Sequence, residues 1–204
     1  MLGENGILLR GSEVFYRKET RRENSRNLVL LHGMSFTSFD WKKINAFNLF
    51  SLAGFNVFAP DYPGFGNSKE NEEFKITTDF SNTSKFVAEF TGGIGLKSFS
   101  IIGPSMGGGI VLRSLLDLNN ISSAVVIGAA GITNLSKSLE KIRTPLMIMW
   151  GSSDQVIDAG QATILNKAVP NSKLVIVPGA GHALYLEKEK IFFDTVIPFL
   201  KEKG

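Results

Sequence analysis

From Asn27 onward, short unbroken apolar runs alternate with longer stretches whose apolar residues recur every three or four positions. The first kind of pattern predicts strands and the second helices. Before that point, "ILLRG" from Ile7 and "EVFYRK" from Glu13 predict an opening hairpin. "NLVLLHG", residues 27–33, predicts a strand ending in glycine. "SFDWKKINAFNLFSLAG" predicts one helix, capped by Ser38 and stopped by Gly54. A strand over residues 55–59 then runs into the Pro/Gly loop "DYPGFGNS". Further along, "SFSIIG", "SSAVVIGAAG", "PLMIMWGSSD" and "KLVIVPGAGH" predict strands. "TTDFSNTSKFVAEFTGGIG", "GGGIVLRSLLDL", "DAGQATILNKAV" and "EKEKIFFDTVIPFLKEK" predict helices between and after them.

The later strands are apolar at consecutive positions rather than alternate ones (LVLL, VVIG, LMIMW, LVIV). That pattern suits a mostly parallel, twisted sheet of about eight strands with helices on both faces. Ligands of such sheets lie beyond the carboxyl ends of the strands. The residues just after each strand are therefore the ones that carry information about function.

Composition narrows the chemistry. The 204 residues are 43% hydrophobic and 20% charged, which suits one domain over residues 1–204. No run approaches the apolar length of a membrane span, and the first residues lack a signal-peptide layout, so the expected location is cytoplasmic. There is no cysteine and there are only two histidines, His32 and His182. Disulfides, thiolate chemistry and a three-histidine zinc site are excluded, and no metal or cofactor is expected. The net charge of +3 gathers around Arg17, Lys18, Arg21, Arg22 and Arg26. This cluster is expected to be a solvated turn facing away from the chemistry, so neither nucleic acid nor membrane is an expected partner.

Four strand ends carry reactive or helix-starting residues. His32-Gly33-Met34 follows the first parallel strand and Gly103-Pro104-Ser105-Met106-Gly107 a later one. Asp154 follows "PLMIMWGSS", and His182 follows "KLVIVPGAG". The G-x-S-x-G pattern is cheap to meet by chance in a chain with 21 glycines. Its weight comes from lying at a strand end in the order Ser…Asp…His. A serine hydroxyl needs a base to take its proton, and a neutral imidazole at His182 is suited to that. Gly103 and Gly107 lack Cβ atoms and permit the crowded turn, while the helix starting near Met106 brings its positive end to the site. Asp154 is the expected partner of His182, with Asp158 the alternative.

With these pieces in order, the chain resembles the α/β-hydrolase superfamily over nearly its whole length. The resemblance implies a nucleophile at Ser105, an acid at Asp154 and a base at His182. It further implies an oxyanion hole from the backbone N–H groups of Met34 and Met106. His32 and Gly33 would support the oxyanion loop, and Asp61 would shape its own loop rather than act chemically. Only residues 132–143 stand where many relatives insert a helical cap, enough for one short helix. No cap domain is therefore expected, and the chain looks most like the small lidless esterases, including the abhydrolase-domain-fourteen type. The implied activity is hydrolysis of small soluble acyl esters or thioesters by a serine esterase. Alternatives are a perhydrolase or acyl transferase using the same residues, or a non-catalytic binding protein on the same fold. Phe36, Phe39 and Trp41 either line a pocket or pack the first helix.

Overall fold

The apolar runs become the strands of one sheet in the computed structural model, which describes residues 2–21 and 25–203. The strands are β1 Gly3–Leu9, β2 Ser12–Glu19, β3 Arg26–Leu30, β4 Phe55–Pro60, β5 Phe99–Pro104, β6 Ile121–Ile127, β7 Leu146–Gly151 and β8 Ser172–Val177. Their order across the sheet is β1-β2-β4-β3-β5-β6-β7-β8. The β1–β2 and β2–β4 pairs are antiparallel and the remaining five pairs parallel. The helices are α1 Ser38–Lys43, α2 Ala46–Leu52, α3 Thr83–Gly93, α4 Met106–Asp117, α5 Ile132–Leu135, α6 Gly160–Ala168, α7 Leu184–Glu187 and α8 Glu189–Lys203.

Consecutive apolar residues are needed because successive side chains enter different cores. In β3, Val29 joins the core beneath α3, α4 and α6, whereas Leu28 and Leu30 join the core beneath α1, α2 and α8. The strand β7 divides the same way, with Ile148 and Trp150 in the first core and Met147 and Met149 in the second. Among the described residues, no helix is long and apolar enough to cross a membrane.

Several expectations need correction. The helix expected from Ser38 to Gly54 is two helices, because Asn45 takes a left-handed conformation (φ 56°) between them. Asparagine tolerates that region better than most residues. Its cap is Thr37, not Ser38: the Thr37 hydroxyl accepts from Phe39 N, and Asp40 Oδ2 accepts from Thr37 N at 2.8 Å. Ser38 is occupied elsewhere, its N–H donating to Asp61 Oδ1 and its hydroxyl accepting from Arg17.

The basic cluster is not one solvated turn. Arg17 and Lys18 lie within β2, and Arg17 is buried. Its guanidinium donates to Ser38 Oγ (2.6 Å) and Glu4 Oε1 (3.0 Å), and lies over the rings of Phe15 and Phe39. It thus braces the segment that follows β3 instead of facing away from it. Arg22 lies outside the described residues.

The run LVIV in β8 is apolar yet not buried on both faces. β8 is the edge of the sheet, and Ile176 is 41% exposed. Finally, residues 132–143 form α5 and a separate 3₁₀ turn, Leu139–Lys141, rather than one helix. Leu135, Leu139 and Ile142 anchor this stretch in the core, so among the described residues no cap domain covers the sheet.

Candidate active site

The serine sits where β5 turns into α4. Ser105 has φ 51° and ψ −117°, a conformation that costs an L-residue free energy and persists only where its surroundings enforce it. Here the Ser105 N–H donates to Ile127 O (2.8 Å), and its carbonyl accepts from Gly109 N (3.1 Å) and Ala130 N (3.0 Å). Close backbone approach does the rest. A Cβ on Gly103 would overlap the Gly107 carbonyl, and one on Gly107 would stand 2.7 Å from His32 O. Only glycine fits either position. Among the described residues, the Ser105 hydroxyl has no hydrogen-bond partner, and nothing from its own side chain caps α4.

His182 and Asp154 meet across the loops after β8 and β7. His182 Nδ1 and Asp154 Oδ2 are 2.8 Å apart, with the aspartate side chain fully buried. A carboxylate only accepts, so in the neutral ring Nδ1 carries the proton and Nε2 keeps its lone pair. The other Asp154 oxygen accepts from Val156 N (2.9 Å) and Ile157 N (3.0 Å), which fixes the carboxylate. The histidine loop is held by Ser153 N donating to Ala180 O and by Gly181 N donating to Glu187 Oε2. Asp158 accepts from Gly160 N at the start of α6 and makes no bond to His182.

His32 stands in a different setting. It is buried, its Nε2 accepts from Tyr62 N (2.9 Å), and its Nδ1 faces Gly33 O (2.8 Å). A carbonyl only accepts and an N–H only donates, so Nδ1 bears the proton and both nitrogens are occupied. Burial lowers its pKa, which keeps the ring neutral. This histidine fastens the turn after β3 to the loop after β4. Asp61 in that second loop accepts from Ser38 N (2.7 Å) and Asn67 N (2.9 Å), and its own carbonyl accepts from Ser68 Oγ. Its carboxylate is therefore spent on loop shape.

The Gly33–Phe36 turn lies against the serine, since a Cβ on Gly33 would stand 3.5 Å from Ser105 Cβ. Phe36 N donates to Gly33 O in this turn, and the Met34 N–H has no partner there. Met106 is the first residue of α4, so its N–H has no acceptor within the helix. Among the described residues, neither Met34 N–H nor Met106 N–H has an acceptor, and both residues line the cavity that holds Ser105.

Ser105 and His182 line one cavity of about 340 Å³ with Phe36, Ile76, Phe80, Met106, Ala130 and Val156 among its walls. Of the three early aromatics, only Phe36 belongs to it. Phe39 packs under the cations Arg17, Lys42 and Lys43, while Trp41 is buried against Tyr185 and Phe192 and donates to Leu31 O. Several contributors escape sequence reasoning, Ile76 and Ala130 among them. Gly128 passes under the His182–Asp154 pair, where a Cβ would stand 3.1 Å from His182 Nδ1. Val156 and Phe80 form walls. Gly128 had a signal, a glycine ending an apolar strand, and loop residue 156 had none, while Phe80 lies in the stretch expected to be helical from residue 77, although α3 starts only at Thr83.

A sequence model of the α/β hydrolase fold matches residues 26–138 and 130–189. ABHD14A of Danio rerio is 31% identical over 179 residues, covering 86% of this chain and 64% of that protein. ABHD14B of Rattus norvegicus, whose name offers it as a protein-lysine deacylase, is 29% identical, covering 98% of this chain and 97% of that protein. The crystal structure of a predicted CIB-like hydrolase from Thermoplasma acidophilum superposes with a TM-score of 0.95 at 35% identity, covering 99% of both chains. At 18% identity, carboxylesterase CesB of Bacillus subtilis (98% of this chain, 92% of that chain) shares the fold with a TM-score of 0.84.

Proposed function

The chain belongs to the α/β-hydrolase family and is abhydrolase-domain-fourteen-like, and from that premise we propose that it is a serine hydrolase. It cleaves small acyl esters or thioesters, in the cytoplasm, with residues 1–204 acting as one hydrolase domain. One observation carries the reading: Asp154 holds His182 at 2.8 Å in the cavity where Ser105 stands on a strained turn.

The steps follow from that geometry. Ser105 Oγ attacks the acyl carbon while His182 Nε2, the nitrogen that the aspartate leaves free, takes its proton. Asp154 stabilises the resulting imidazolium and keeps its proton on Nδ1. The negative charge grows on the former carbonyl oxygen, where the N–H groups of Met34 and Met106 receive it, aided by the positive end of α4. Collapse breaks the bond to the leaving group, which departs with the His182 proton and leaves an ester on Ser105. Water, deprotonated by His182, then attacks that ester, and the acid and regenerated serine complete the cycle.

The relative named as a lysine deacylase extends the range of leaving groups to an amine, which the same proton transfer from His182 serves. A fluorophosphonate probe tests the core of the reading. It is expected to label Ser105 and to leave Ser105→Ala unlabelled, with ester turnover lost in parallel. Labelling that survives the substitution removes Ser105 from the mechanism.

A further inference from the structure

We propose that Phe80 limits the acyl group, closing the cavity beside Ser105 so that the site accepts short acyl chains and rejects long ones. The inference rests on the serine-hydrolase reading above and names its substrate class. The cavity, about 340 Å³, lies near the lower end of the ~300–1,000 Å³ typical of ligand pockets. Its walls beside the serine and histidine are mainly apolar side chains, which suits a hydrocarbon chain.

Phe80 differs from the other walls in how it is held. It has φ 57°, a region an aromatic residue enters only under constraint, and it is 7% exposed. Its ring lies in a slot between two glycines. A Cβ on Gly109 would stand 2.5 Å from the ring, and one on Gly131 would overlap it. Gly131 has a left-handed backbone (φ 76°) that itself favours glycine, but Gly109 is in α4 with no positive φ. Inside a helix, alanine is the better residue on backbone grounds. At Gly109 the nearest atoms a side chain would meet all belong to the Phe80 ring, so the glycine serves the ring.

The segment bearing Phe80 is clamped on both sides. Phe80 N donates to Thr77 O, Thr83 donates to Phe80 O through N (3.0 Å) and Oγ1 (2.7 Å), and Asn134 Nδ2 donates to Thr78 O (2.6 Å). Because Gly109 lies four residues beyond Ser105, the ring sits about one helical turn, ~6 Å, along α4 from the nucleophile. An acyl chain growing from Ser105 in that direction meets it after a few carbons.

The test compares p-nitrophenyl acetate, butanoate and octanoate on wild type, Phe80→Ala, Phe80→Leu and Gly109→Ala. Wild type is expected to prefer the two shorter esters. Phe80→Ala should raise kcat/KM for octanoate relative to acetate by at least about tenfold, with Phe80→Leu intermediate. Gly109→Ala should act in the opposite direction, its methyl pushing the ring into the cavity and lowering butanoate relative to acetate. Phe80→Leu and Gly109→Ala keep the test decisive if Phe80→Ala does not fold. An unchanged chain-length profile in folded variants that still take the fluorophosphonate on Ser105 overturns the role of Phe80 and leaves the hydrolase reading standing. Wild type that neither labels at Ser105 nor turns over any of the esters overturns both.

Discussion

The two histidines follow strands of the same sheet, yet their surroundings assign them opposite work. At His32 both ring nitrogens are occupied, by a backbone N–H and a carbonyl, inside a buried seam between two loops. At His182 one nitrogen meets a buried carboxylate, the other keeps its lone pair, and the ring borders the cavity that holds Ser105. A histidine with both nitrogens satisfied is a fastener, and burial keeps it uncharged. A histidine with one free nitrogen and an aspartate behind it can take a proton and bear the charge that follows. What separates the two is the partner on the second nitrogen.

The sharpest way to break this contrast is to remove each ring. His182→Ala is expected to lower kcat by about 10⁶-fold, the scale seen when a serine nucleophile loses its base, with thermal stability near that of wild type. Ester turnover within tenfold of wild type would end the assignment. Asp154→Asn comes next, at about 10⁴-fold, because an amide there stabilises the wrong tautomer. The contrasting variant is Asp158→Asn, which removes a charge at the start of α6 while keeping an oxygen to accept from Gly160 N, and should leave kcat within about twofold, since Asp158 has no bond to His182. Steady-state kinetics on one short ester separates these outcomes. Equal losses at Asp154 and Asp158 would contradict the pairing.

Much of this contrast was legible in the sequence, for a physical reason. Strands of a parallel sheet end on one rim, so Ser105, Asp154 and His182 could be placed together from strand ends alone. The interior strands were readable because both faces of each are covered, as β7 demonstrates with Ile148 and Met149 in opposite cores. Where tertiary contacts decide, the pattern was silent. Nothing near Arg17 distinguishes a buried guanidinium held by Ser38 and Glu4 from a solvated one. The move of the cap to Thr37 depends on what Asp61 and Arg17 do to Ser38, more than twenty residues away in the chain. The apolar run of β8 reads like the interior strands, because edge position is a property of the sheet order and not of the strand. The wall of the cavity was also hidden, since the stretch from Thr77 reads as one helix, whereas the helix starts only at Thr83 and leaves Phe80 in the loop before it.

The other half of the comparison predicts smaller effects, expressed as stability rather than rate. His32→Ala strips the Tyr62 N–H of its acceptor and Gly33 O of its donor in a buried seam. It should cost about 2–4 kcal/mol in urea denaturation. Turnover of the folded fraction should fall by no more than about 10²-fold, through a shifted Gly33–Met34 turn. A loss rivalling that of His182→Ala would mean that His32 takes part in the proton transfer.

The smallest expected effect is in pH. Burial lowers the His32 pKa in the folded chain, whereas in the unfolded chain the ring titrates near ~6.5. Above that value both states are neutral and the stabilisation is complete. As pH falls below it, the unfolded chain takes up the proton first. The stabilisation is then lost at up to about 1.4 kcal/mol per pH unit until the folded ring protonates as well. Wild type should therefore lose urea stability between pH 7 and pH 5 more steeply than His32→Gln, whose side chain keeps polar contacts but does not titrate. If the slope persists unchanged in His32→Gln, the buried ring at His32 is not its source, and the uncharged fastener that the contrast requires is not at that strand end.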